Sequence, residues 1–124
     1  MQRLELLRRI YAKDRDALYG NLHMDFVCHT PGSSQIAGSF RGAEGMRWHV
    51  QQMQELTGQT FRPRHEDVFM LAGDWATVPV RLAAFRQGKT LDMRAFGIWR
   101  FADGLLAEHW EMPVDLAVFD EFWR

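Results

Sequence analysis

The sequence is poor in cysteine, balanced in charge and without long apolar runs. Its 124 residues contain one cysteine, Cys28, so an internal disulfide is excluded and a reducing, cytoplasmic location is favoured. Fifteen Lys and Arg against sixteen Asp and Glu give a net charge of −1, which offers no general surface for nucleic acid or an anionic membrane. No apolar run approaches the roughly 18 residues that span a bilayer. We therefore expect one domain over residues 1–124, with neither kind of partner.

Cofactor motifs are equally scarce. The five histidines (positions 23, 29, 49, 65 and 109) show no H-x-x-x-H spacing, and a C-x-x-C pair cannot form from one cysteine, so we expect no metal. Gly38-x-x-x-Gly42 precedes a helical pattern but lacks the Lys-Ser/Thr of a phosphate-binding loop. Cys28 has no neighbouring sequence feature that would activate a thiol. The sequence predicts a protein without a cofactor.

Large apolar side chains are abundant instead. Five Trp, nine Phe and seven Met occur in 124 residues. Such side chains fill cores, and they also line apolar ligand cavities. Both uses are expected here.

Helical periodicity dominates the first half of the chain. Apolar residues recur at helical spacing over residues 3–12 and again over residues 43–57, and Asp115 begins a terminal helical pattern. Between the first two helices, a strand from His23 to Thr30 ends at Pro31-Gly32. This corner, Phe26 to Gly42, is expected to form part of a pocket wall.

From Thr60 onward the apolar period changes to two. Four strands are predicted, joined by short turns such as Gln87-Gly88 and Asp103-Gly104. Their ranges are Thr60–Leu71, Trp75–Phe85, Thr90–Phe101 and Leu105–Met112. Helices followed by an antiparallel meander indicate an α+β fold, and a twisted sheet bent around helices leaves a concavity.

A series of short motifs resembles the nuclear transport factor 2-like superfamily, in its SnoaL-like and ketosteroid isomerase-like branch. The motifs, in order, are His29-x-Pro31-Gly32, Ala37-Gly38-x-Phe40-x-Gly42, Leu56-Thr57-Gly58, Phe61-Arg62, Arg86-x-Gly88, Leu91-Asp92, Trp99-Arg100-Phe101-x-Asp103-Gly104, Glu108-x-Trp110 and Asp115 to Trp123. The resemblance implies a cone, in which a curved antiparallel sheet wraps around N-terminal helices as a cystatin-like α+β barrel with a C-terminal helix. It also implies a deep apolar cavity and homodimers that pack sheet against sheet.

The catalytic residues of the relatives carry over poorly. The isomerases keep a carboxylate before the proline, a tyrosine in the first helix and an acid on a late strand, and the positions here are Thr30, Leu6 and Gly97. That steroid isomerase mechanism is therefore not expected. Epoxide hydrolases of the superfamily place an Arg between two Asp residues; Asp92 and Arg94 share one strand face, without an evident second Asp.

Two single residues are candidates for proton transfer. An imidazole at a cavity wall can move protons near neutrality, and His29 lies at the corner, although strand alternation places it opposite Thr30. Asp115 follows the last strand roughly as an acid does in the polyketide cyclases, with a spacing one residue longer. It is equally well placed to cap the terminal helix.

A third candidate is a pair on the last strand. His109 and Glu111 alternate with Trp110 and point to the same side, so they form either an acid–base unit or part of an outward sheet surface. Their side of the sheet is left open by the sequence.

The central strand offers the expected cavity floor. Small residues in a strand leave room for a ligand, and Ala95 and Gly97 lie between larger residues of the same face. The predicted ligand-binding residues are Phe26, Thr30, Trp48, Met93, Ala95, Gly97, Trp99 and Trp110.

These patterns favour a cofactor-independent acid–base enzyme, an isomerase, cyclase, dehydratase or hydrolase, acting on a small hydrophobic molecule. The alternatives are a non-catalytic binding or carrier protein for such a ligand, and a protein-interaction module. Apolar residues on both faces of one strand, such as Phe96 and Ile98 against Met93 and Trp99, predict a homodimer.

Overall fold

The computed structural model describes residues 2–124 and contains helices and strands in an α+β arrangement. Within that range the helices are α1 (Arg3–Tyr11), α2 (Arg15–Tyr19), α3 (Gly42–Leu56) and α4 (Leu116–Trp123). The strands are β1 (Leu22–Thr30), β2 (Gly38–Arg41), β3 (Arg62–His65), β4 (Met70–Ala72), β5 (Trp75–Arg86), β6 (Lys89–Ala102) and β7 (Leu105–Pro113).

All seven strands form one curved, unclosed sheet. Its order is β2-β1-β7-β6-β5-β3, with β4 paired to β5 beside β3. The β5–β6–β7 part is the predicted antiparallel meander, whereas β1 runs parallel to β7. The sheet is therefore mixed, and β1 brings the corner at Pro31 beside the end of the meander.

Strand alternation gives the sheet an inner and an outer face. On β6, the odd-numbered positions from Leu91 to Phe101 are buried, and the positions between them are exposed or half-buried. The inner side chains pack with residues of α1, α3 and α4 into two apolar clusters. Burial of such side chains is the main stabilising contribution to a fold of this kind.

A bulge in β7 decides which side chains of that strand face inward. Phe101 pairs with Leu106, but Arg100 pairs with Glu108, so Ala107 is an extra residue in the ladder. An inserted residue reverses the direction of the side chains that follow it. As a result His109 pairs with Trp99 on the inner face, and Glu108 points outward.

The corner after β1 is held by α4. Gly32 has a φ of +99°, and a Cβ atom at this position would overlap the Asp120 carboxylate. Asp120 accepts a hydrogen bond from the Ser33 backbone N–H at 3.1 Å. The predicted pocket corner is therefore fixed to the C-terminal helix.

The predicted fold class is confirmed, and the bounds of α1 and α3 and the start of α4 lie within one or two residues of those expected. The strand expected over Thr60–Leu71 is divided into β3 and β4, because Asp67 adopts a φ of +57° between them. No helix within residues 2–124 is long and apolar enough to cross a membrane.

Candidate functional site

Polar side chains from three elements lie on the inner face of the sheet, near the boundary between the two apolar clusters. On β6, Ala95 belongs to one cluster and Trp99 to the other, and Gly97 lies between them. Tyr11 of α1 and His109 of β7 lie against Gly97, and Glu111 pairs with Gly97 across the ladder. His49 of α3 contacts Thr30 on the same inner face, and we call these four titratable residues the polar band. Its members are Tyr11, His49, His109 and Glu111.

The orientation of His109 is fixed by two neighbours. Its Nδ1 lies 3.1 Å from the Ile98 carbonyl oxygen, and its ring stacks on Trp99 with a centroid distance of 3.8 Å. Because a carbonyl oxygen only accepts hydrogen bonds, Nδ1 carries a hydrogen. Nε2 is therefore the ring atom left to exchange a proton.

Glu111 is placed to act with that nitrogen. One of its carboxylate oxygens lies 3.3 Å from His109 Nε2. The Glu111 side chain is 24% exposed, whereas that of His109 is 11% exposed. The pair therefore connects the interior to solvent, which allows protons to pass between the two.

Tyr11 brings a hydroxyl group to the same place. Its oxygen accepts a hydrogen bond from Trp99 Nε1 at 2.9 Å, and it occupies the space that a Cβ atom at residue 97 would fill. Burial, and secondarily the charge of Glu111, raise the pKa of Tyr11 well above its ordinary value. Tyr11 therefore remains a neutral phenol with a proton to donate.

His49 enters from α3 and is 4% exposed. Its Nε2 lies 2.8 Å from Thr30 Oγ1, and its ring stacks on Phe40 with a centroid distance of 4.2 Å. Burial, with a smaller effect from His109, lowers the pKa of His49 to about 4. At neutral pH this imidazole is uncharged.

Several residues predicted from the sequence lie on this inner face. Thr30 contacts His49, and Gly97 lies against Tyr11. Trp99 donates a hydrogen bond to Tyr11 and stacks on His109. Phe26, Met93 and Ala95 are buried in the two apolar clusters. The inward direction of His109 and Glu111 makes them the predicted pair with access to the interior.

His29 and Trp110 lie on the outer face. His29 Nδ1 is 2.7 Å from Ser39 Oγ, and His29 Nε2 is 2.8 Å from a carboxylate oxygen of Glu108. The His29 ring stacks on Trp110 at a centroid distance of 5.0 Å. Burial by itself would raise the pKa of the Glu108 carboxyl. Hydrogen bonds from His29 and Arg100 outweigh this effect and hold that pKa below its usual value.

Two other predicted residues lie away from the polar band. Asp115 caps α4, because its carboxylate accepts a hydrogen bond from the Val118 N–H at 3.1 Å. Trp48 is 56% exposed and packs beside Phe40 on the solvent side of α3.

Surface grooves elsewhere contain none of the predicted site residues. One, of about 370 Å³, lies between the C-terminal end of α3 and the β5–β6 turn, at residues 56–58 and 85–90. Another, of about 240 Å³, is lined by residues 70–72 and 75–77. The first is lined by Arg86 and Lys89 but by no carboxylate or imidazole, and the second has no titratable side chain in its lining.

Tyr11 and His49 belong to the site but were not predicted as site residues. Both occur in amphipathic helices, where they continue the buried stripe. The available signal was a polar atom within an apolar stripe: His49 lies between Met46 and Met53 at helical spacing.

A family model of the SnoaL-like domain matches residues 4–109. The chain belongs to the SnoaL-like domain family. The resemblance inferred from the short motifs is confirmed. This SnoaL-like chain has no match among curated proteins.

Solved structures with the same fold extend the comparison. Bal32a, from a soil-derived mobile gene cassette, is 31% identical over 97% of this chain and 95% of its own, with a TM-score of 0.87. A protein of unknown function with a cystatin-like fold from Xanthomonas campestris is 25% identical over 99% and 98%, with a TM-score of 0.86. IdmH from Streptomyces antibioticus, a proposed polyketide cyclase, is 18% identical over 95% and 96%, with a TM-score of 0.68, and shares the fold.

Proposed function

We propose that this SnoaL-like protein is a cofactor-independent acid–base enzyme that acts on a small hydrophobic carbonyl compound. The observation that carries the proposal is the geometry of His109. Its Nδ1 is committed to the Ile98 carbonyl, and its Nε2 is free to exchange a proton beside Glu111. IdmH, a proposed polyketide cyclase, has the same fold, and this analogy supports a reaction of the cyclase type for the present protein.

The roles follow from the position of each group. The Tyr11 hydroxyl donates a hydrogen bond to the substrate carbonyl oxygen, which stabilises the negative charge that develops there. His109, with Glu111, removes a proton from the adjacent carbon and returns it at another atom. The apolar clusters on either side exclude water, which favours isomerisation, cyclisation or dehydration of the intermediate.

A deuterium-exchange assay tests this without knowledge of the natural substrate. The protein is incubated with 1-tetralone in D₂O, and NMR follows the replacement of the α-hydrogens. The α C–H bond breaks, its electron pair forms the enolate, and the proton passes to the His109–Glu111 pair, which exchanges with solvent and returns a deuteron. We expect exchange above the protein-free rate, lowered about 10²–10⁴-fold by His109→Asn.

The same assay tests the other residues predicted from the sequence. Under this proposal His29→Asn and Asp115→Asn retain exchange, since His29 lies on the outer face and Asp115 caps α4. Loss of exchange in either variant, with His109→Asn unaffected, would transfer the catalytic role to that residue.

A non-catalytic binding or carrier protein is the second candidate. The observation that favours it is the replacement of the three isomerase groups by Thr30, Leu6 and Gly97, none of which transfers a proton. Measurable binding of 1-tetralone without any accelerated exchange would support this function over the enzyme. A protein-interaction module predicts neither result.

We also propose that the protein works in the cytoplasm, because its single cysteine is free and buried.

A further proposal is that the outer face of the sheet mediates homodimerisation. Trp75 is 49% exposed and stacks on Trp110 at a centroid distance of 5.8 Å, giving an exposed aromatic surface. Sedimentation velocity should show a dimer that Trp75→Glu dissociates. Val118→Glu, on the exposed side of α4, is the matched control, and a monomeric wild type would contradict the proposal.

A further inference from the structure

His49 is the member of the polar band to which the proposed reaction gives no task. It lies on the buried stripe of α3, with one ring face against Phe40 and Nε2 against Thr30. Its other nitrogen, Nδ1, is buried and finds no hydrogen-bond partner among residues 2–124. Buried polar atoms without a partner are uncommon in folded proteins; of the four in the described residues, which are His49 Nδ1, Gln52 Oε1, Gln54 Oε1 and Trp123 Nε1, only that of His49 belongs to the polar band, where a bound molecule could supply the partner.

The charges around the polar band restrict that group. Within the described part of the chain, no Arg or Lys forms a hydrogen bond or ion pair with Tyr11, His49, His109 or Glu111. A negatively charged ligand would meet the Glu111 carboxylate without a compensating cation. A hydroxyl group can instead pair with a neutral imidazole nitrogen in either form, accepting from N–H or donating to the lone pair, and a carbonyl oxygen can accept from the N–H form.

We propose that His49 is a ligand-binding residue that holds an uncharged carbonyl or hydroxyl oxygen of the substrate, and that it makes the interior selective for neutral compounds over carboxylates. The inference rests on the proposed function, because it assigns a substrate class to the same site. Tyr11 and His49 then bind different polar atoms of one molecule, or share one oxygen between them.

Calorimetric titration with compounds of similar shape tests the selectivity. The probes are 1-tetralone, with a carbonyl acceptor; 1-naphthol, with a hydroxyl; naphthalene, without oxygen; and 1-naphthoate, with a negative charge. We expect at least one of the two neutral oxygen compounds to bind about tenfold more tightly than naphthalene, the effect of one hydrogen bond. The negatively charged 1-naphthoate should bind more weakly than 1-tetralone and more weakly than 1-naphthol.

Variants assign that advantage to His49. His49→Phe should remove it and leave naphthalene affinity unchanged, whereas the matched His23→Phe, at the start of β1, should retain it. Should His49→Phe fail to fold, ¹⁵N-histidine NMR of the wild type replaces it: 1-tetralone or 1-naphthol should shift the His49 Nδ1 resonance, and naphthalene should not.

The outcomes separate this inference from the proposed function. Equal affinity for all four probes, or an oxygen preference that survives in His49→Phe, would overturn the role of His49 while the site still binds apolar molecules. Tight binding of 1-naphthoate would overturn the selectivity for neutral compounds. No binding of any probe to the wild type would overturn both proposals.

Discussion

The Trp99 indole N–H donates a hydrogen bond to the Tyr11 hydroxyl oxygen, at 2.9 Å, and so joins the end of α1 to the middle of β6. The same indole stacks on His109. One side chain thus positions both the hydrogen-bond donor and the proton-transfer residue of the proposed reaction. Its aromatic face and its N–H have separable effects.

Trp99→Phe tests that separation. The variant keeps an aromatic ring for His109 but loses the donor to Tyr11 and some core volume, so the free energy of unfolding should fall by about 2 kcal/mol. Trp48→Phe, at an exposed position on the solvent side of α3, should change it by less than about 0.5 kcal/mol. Urea denaturation measures both, and equal losses would contradict a specific role for the indole N–H.

His49 should make stability depend on pH. Burial, and then the charge of His109, lower its folded-state pKa to about 4, against about 6.5 in an unfolded chain. Between these values the unfolded state binds more protons, so the free energy of unfolding should fall as pH drops from about 6.5 to about 4, by about 3 kcal/mol in total. Above that window the contribution is fully present.

Urea denaturation at pH 4, 5, 6 and 7 measures this effect. His49→Gln removes the titrating group, so the variant should lose less stability across the window than the wild type. Parallel curves for the two proteins would show that His49 titrates alike in the folded and unfolded states.

Cys28 should be unreactive in the folded protein. Its side chain is buried on the inner face of β1, and burial raises the pKa of its thiol to about 11. The thiolate is the reactive form, so 5,5′-dithiobis(2-nitrobenzoate) at pH 8 should label the native protein slowly and the denatured protein fast. Equally fast labelling in both states would show that β1 opens readily.

The sequence predicts the helices, the meander and the α+β class because these depend on apolar periodicity within each segment. It leaves the direction of His109 and Glu111 open, because that direction depends on the extra residue Ala107 in the β6–β7 ladder. The position of a bulge follows from pairing with a neighbouring strand, which one strand's alternation does not contain.

The sequence does not identify Tyr11 and His49 as site residues, for a related reason. Each continues the apolar stripe of its helix, where an aromatic ring is expected in a core. Their polar atoms acquire a role through contacts with β1 and β6 that are remote in sequence. By contrast, the outward direction suggested for His29 by strand alternation agrees with its contacts to Ser39 and Glu108.

Gly97 should be required because the Tyr11 hydroxyl occupies the space of its missing side chain. In Gly97→Ala the new Cβ would overlap that oxygen, while the next atoms, His109 Cε1 and Tyr11 Cζ, lie at 3.4 and 3.5 Å. We expect a loss of about 1–3 kcal/mol in the free energy of unfolding, typical of overpacking in a core.

Tyr11→Phe removes the clashing oxygen, so Gly97→Ala should cost much less in the Tyr11→Phe background. A double-mutant cycle from urea denaturation measures this coupling. Strictly additive effects would show that Tyr11 and Gly97 are not in contact, and would remove Tyr11 from the site.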